Sequence, residues 1–182
     1  MIDLVRFSSD PLHAFCARTG VEPLIFSGEG ILHSQTITLL DGSPASNKTL
    51  PQELSRTMPD LLFGCEWIGE HDHMDYPQHA LRIQTARTIR NTSTIYVFTP
   101  AILERRTFEV ARFNARILRA AKVPVVFASL ARTQDDLAAV KDMQALGTLL
   151  GFSDNQIASA YRLLEKLPAT KFEEAFALEI PR

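Results

Sequence analysis

Two histidines separated by one residue, His71 and His73, with His79 six residues beyond, are the side chains best spaced in this sequence to hold a metal ion. An H-x-H pair that follows a strand can present two imidazoles to one ion, and Leu61 to Ile68 reads as such a strand. The pattern is short and common, and the remaining histidines, His13 and His33, lie in the N-terminal quarter, so a third ligand is hard to name. Glu66, Glu70 and Asp72 gather acid in the same stretch without a spacing that specifies a cation. Ser27-Gly28-Glu29-Gly30 follows a strand but opens no helix, so it reads as a turn and not as a phosphate cradle. His13 and Cys16 lie three residues apart with nothing to orient the imidazole. Cys16 and Cys65 are flanked by apolar residues and read as small buried hydrophobes. No G-x-S-x-G elbow occurs.

Arginine offers a second kind of chemistry. Residues 80–122 carry 9 Lys/Arg against 2 Asp/Glu, a net +7, whereas residues 1–79 carry 4 against 11, a net −7. Eight of those nine basic residues are arginines, whose planar fork suits bidentate binding of phosphate. Arg112, Arg116, Arg119 and Lys122 follow at i, i+4, i+7 and i+10, one face of a helix, and Arg105 and Arg106 precede it. Glu109 interrupts that face, which otherwise forgoes the opposite-charge i,i+4 pairs that a solvated helix normally gains. An anionic partner explains such a stripe. Compensation within the chain, the basic segment folding against the acidic N-terminal half, is the alternative.

These residues must be positioned by alternating strands and helices. The strand-like runs are Met1 to Phe7, Pro23 to Phe26, Gln35 to Leu40, Leu61 to Ile68, Thr94 to Thr99, Val123 to Ser129 and Ala175 to Ile180. Helical spacing predicts helices over Pro11 to Arg18, Gln78 to Arg90, Thr107 to Ala121, from Thr133 to Gly151, and from Ser153 to before Pro168. The stretch Asp41 to Asn47 is a loop by composition. The order predicts an α/β domain over residues 1–182, a barrel or a doubly wound sheet. Val123 to Ser129, apolar throughout, is expected at its centre.

With 182 residues, 46% hydrophobic and 22% charged, the composition excludes collagen-like, coiled-coil and disordered-tail classes. No apolar run approaches a membrane span, and no secretory signal is legible at the N-terminus, so a cytoplasmic protein without membrane association is expected.

Arg105-Arg106, Arg112, Asn114, Arg116 to Ala121, Val123 to Ser129, Asp136-Leu137, Lys141-Asp142 and Leu146 to Gly151 together resemble ribonuclease P protein component 3, the thirty-kilodalton protein subunit of archaeal and eukaryotic ribonuclease P. The likeness spans roughly residues 102 to 160, with departures at Ala138 and Val140. The resemblance implies a TIM-barrel-like (β/α) barrel, shortened or incomplete, related to metal-dependent phosphoesterase barrels but lacking their metal ligands. It implies a subunit that supports endonucleolytic removal of the transfer-RNA 5′ leader without catalysing it alone and without a cofactor. Its expected partners are ribonuclease P RNA, precursor transfer RNA and other ribonuclease P proteins, especially a small component-2-type subunit. With the arginine stripe, it leads to Arg105, Arg106, Arg112, Asn114, Arg116, Arg119, Lys122, Ser129 and Arg132 as the residues expected at an RNA or partner contact. Two other readings stay open: a metal-dependent barrel phosphoesterase using His71 and His73, and a non-catalytic protein-interaction module.

Overall fold

A computed structural model describes residues 2–5, 22–25, 32–33, 38–66, 80–104, 107–130 and 138–165. Within them the strands are β1 (Ile2–Val5), β2 (Glu22–Ile25), β3 (Leu32–His33), β4 (Thr38–Asp41), β5 (Leu61–Phe63), β6 (Ile95–Phe98) and β7 (Val125–Phe127). The helices are α1 (Leu50–Thr57), α2 (Ile83–Asn91), α3 (Ala101–Glu104), α4 (Phe108–Ala120), α5 (Val140–Leu149) and α6 (Asp154–Glu165). β1 and β2 pair in parallel. The larger sheet runs β3-β4-β5-β6-β7, its last four strands parallel and β3 antiparallel to β4. The chain is therefore an α/β fold on a parallel four-stranded core.

Parallel strands need covering on both faces, and every residue of β6 and β7 is buried. β7 is nonetheless last in the described strand order, not central as its apolar sequence suggested. Its burial comes from α5 and α6, which pack on it. Phe98 stacks on its register partner Phe127 at 6.2 Å, and Phe152 closes on Phe127 edge-on at 5.4 Å. That aromatic cluster joins the sheet to the α5–α6 junction.

Three helices stop abruptly by the same device. At the ends of α2, α4 and α5 the residues Ser93, Lys122 and Gly151 take positive φ, and the next residue's N–H reaches back to a carbonyl of the last turn: Thr94 to Ile89, Val123 to Leu118, Phe152 to Gly147. These are Schellman closures. After α2 and α4 they return the chain to a strand within a few residues. β5 ends sooner than the apolar run to Ile68 predicts, because Gly64 adopts φ +75° and a Cβ there would lie 2.8 Å from Asp41 Oδ1. Neither α1 nor α3 is expected from the sequence; α1 buries only Leu50 and Leu54 and has proline in its first turn. The helix expected over Pro11 to Arg18 and the strand over Ala175 to Ile180 lie outside the described residues. No helix among the described residues is long and apolar enough to cross a membrane.

Candidate nucleic-acid interface

The basic helix forms where its spacing predicts, as α4, with Val110, Ala111, Asn114, Ala115 and Leu118 buried against the core. Arg112 and Arg116 are exposed on the opposite side, with Glu109 beside them. The rest of the expected stripe divides. Arg119 is half-buried: its Nε donates to the Ala115 carbonyl at 3.3 Å, its Nη1 donates to the Gly151 carbonyl, and its guanidinium lies 5.2 Å from the Phe152 ring centre. It fastens α4 to the α5–α6 junction by charge-assisted and cation–π contact. Lys122 is exposed at the Schellman closure, past the end of the helix.

Asn114 does not share that surface. It is fully buried, its Oδ1 accepting from the Leu81 N–H at 2.7 Å and its Nδ2 donating to the Cys65 carbonyl at 2.9 Å. A buried amide with both ends bonded is satisfied where it stands, and this one ties the start of α2 to the segment after β5. Ser129 is buried just after β7. Arg105, Arg106, Arg132, His71 and His73 lie outside the described residues. Among the described residues no group of three His, Cys, Asp or Glu side chains is placed to hold a metal ion.

The start of α2 is clamped from a second side by Asn47. Its Nδ2 donates to the Ala80 carbonyl at 2.7 Å, and its Oδ1 accepts from the Arg82 N–H and the Thr85 hydroxyl, each at 3.0 Å. Held between Asn47 and Asn114, α2 packs beside α4, burying Thr85, Ala86 and Ile89 and exposing Arg82, Arg87 and Arg90. Sequence reasoning left these three arginines out of the site. The +7 segment contains all three, but periodicity is a property of one helix at a time and does not reveal that two helices lie side by side.

A second cluster sits beyond the β5 and β6 strands. The Cys65 N–H donates to Tyr96 Oη at 3.2 Å, and the Tyr96 hydroxyl donates to Glu66 Oε1 at 2.6 Å. Burial pushes the Cys65 thiol well above its ordinary value, and the nearby Glu66 adds to the shift. Burial likewise raises Tyr96, and it pushes Glu66 up to about 7 although the Tyr96 hydrogen bond pulls the other way. A thiol and a phenol held protonated supply no nucleophile near neutral pH. Gly42 packs against Cys65 Sγ so closely that any side chain there would displace it.

No protein-family model matches the chain, and no curated protein matches it. A chain of a solved structure does: the cryo-EM structure of archaeal ribonuclease P with mature tRNA. The likeness has a TM-score of 0.57 at 14% identity and covers 100% of this chain and 95% of that one. At that identity the likeness is one of fold.

Proposed function

We propose that this chain is a protein subunit of ribonuclease P, of the component 3 type, and that it supports removal of the 5′ leader from precursor transfer RNA without supplying the catalytic groups. The observation that carries the reading is the whole-chain fold likeness to a chain of archaeal ribonuclease P, together with a sequence that resembles component 3 over residues 102 to 160. The parallel strands with their outer helices then form a shortened (β/α) barrel, and ribonuclease P RNA, precursor transfer RNA and the other protein subunits are its partners. Arg112, Arg116 and Lys122 are the described, exposed members of the contact surface; Arg119 and Asn114 position it by holding α4 against the α5–α6 junction and α2.

Reconstitution tests this. Adding the chain to ribonuclease P RNA and the other protein subunits from the same source is expected to raise cleavage of precursor transfer RNA, with no cleavage by the chain alone. Cleavage by the isolated chain that is lost in His71→Ala/His73→Ala together with bound metal would replace this reading with the hydrolase.

A further inference from the structure

We propose that the outer face spanning the seam between α2 and α4 is a docking surface for the phosphate backbone of RNA, built jointly from Arg87 and Arg90 of one helix and Arg112 and Arg116 of the other. The inference rests on the RNA-associated reading above and adds a second helix to it.

Both helices lie between parallel strands of one sheet and touch, so they run side by side in the same direction. On α4, Arg119 leans toward Gly151 and Phe152, which marks the flank facing α5 and α6. The opposite flank carries Phe113 and Ile117, both half-buried, and faces α2. The same rotation applied to α2, whose buried centre is Thr85, Ala86 and Ile89, puts Arg87 and Arg90 on its flank toward α4. Arg87 and Arg90 therefore rise along one side of the Phe113–Ile117 seam; across it Arg116 points outward from α4, and Arg112, two turns before Arg119, stands on the far shoulder of that helix. All four are exposed, and none has a hydrogen-bond or ion-pair partner among the described residues.

Spacing and composition point to RNA and not to an acidic protein. Arg112 and Arg116 are separated by one helical turn, about 6 Å along the axis, and adjacent helix axes stand roughly 8–10 Å apart. The result is a two-row grid of forked donors that can neutralise several phosphates together. α2 contains no acidic residue, and Glu109 is the one acid of α4. Protein interfaces depend on exposed apolar anchors, whereas phosphate contacts do not. The large apolar side chains most exposed among the described residues, Met58, Leu103 and Leu149, belong to neither α2 nor α4.

The full chain is titrated with a labelled precursor-transfer-RNA transcript over a potassium chloride series. Arg87→Gln/Arg90→Gln is compared with Arg112→Gln/Arg116→Gln, and with Arg56→Gln on α1 as control. Each double variant is expected to keep the parent's unfolding midpoint, to bind roughly tenfold more weakly at moderate salt, and to lower the log–log salt slope by about 1.4–1.8, two contacts at 0.7–0.9 each. Parental affinity and slope in the α2 pair would overturn the seam, as would a parent chain that binds polyglutamate and not RNA. The function and the seam fail separately. RNA binding lost in both pairs, with no stimulation of ribonuclease P cleavage by the parent, keeps the seam and sinks the function. Full stimulation and RNA affinity in the α2 pair sink the seam and keep the function.

Discussion

Glu66 is held between burial, which favours its neutral form, and the Tyr96 hydroxyl, which favours the carboxylate; burial prevails and its pKa stands near 7 against an ordinary 4.5. The folded chain therefore binds this proton more tightly than the unfolded chain does. Its contribution to stability is complete below about pH 4.5, declines as pH rises toward about 7, and is absent above. A tenfold difference in proton affinity between the folded and unfolded chain is worth about 1.4 kcal/mol, and water reaching the partly exposed carboxyl reduces the effect, so a loss on the order of 2 kcal/mol is expected over that range. Glu66→Gln keeps an acceptor for Tyr96 and removes the titration. Denaturant unfolding at acid and at mildly alkaline pH should show the variant flat where the parent falls, and parallel curves would mean that Glu66 is ionised throughout. Residue roles of this kind are hard to see in sequence. Asn114 has the polarity of a ligand-binding residue, and no local pattern reveals that its amide is spent between Leu81 and Cys65. Cys65 was legible as a buried hydrophobe because it follows the apolar run Leu61-Leu62-Phe63.

Among the elements, α4 is used in two ways by residues of one type. Arg116 points to solvent, while Arg119 bonds two carbonyls and covers an aromatic ring. Arg119→Ala is therefore expected to lower unfolding free energy by about 1–2 kcal/mol, and Arg116→Ala to stay within about 0.5 kcal/mol of the parent. Equal effects in denaturant melts would place both on the same solvated face. The i, i+4, i+7 spacing located α4 correctly because five buried positions enforce it, yet the spacing treats Arg116 and Arg119 alike. What separates them is Gly151, 32 residues further along the chain. Short elements escaped for a different reason: α1, with two buried leucines, and α3, with four residues, offer too few turns for a period to register. Strands β6 and β7 were legible as continuous β-branched and aromatic runs. The order of β7 in the sheet was not, since burial under helices and burial between strands leave the same apolar sequence.

Over the whole molecule, the polarised charge of the chain resolves into a local feature. Residues 80–122 carry +7, and α2 and α4, which pack against each other, expose five of its arginines, Arg82, Arg87, Arg90, Arg112 and Arg116. A chain with net charge −2 can then still meet a polyanion, because a field of one sign over a patch governs approach more than the molecular total does. This patch is expected to be dispensable for folding and needed for partnership, so that mutation separates the two. In the proposed function this chain works as a protein bound to a transfer-RNA-processing RNA. The most direct test of this is affinity purification of the tagged full chain from its native source, sequencing the RNA that accompanies it, with the Arg87/Arg90/Arg112/Arg116→Gln variant purified in parallel. Enrichment of ribonuclease P RNA and 5′-extended transfer RNA with the parent, and its loss with the folded variant, is the expected result. A parent chain that brings down no RNA above an untagged control would contradict the account.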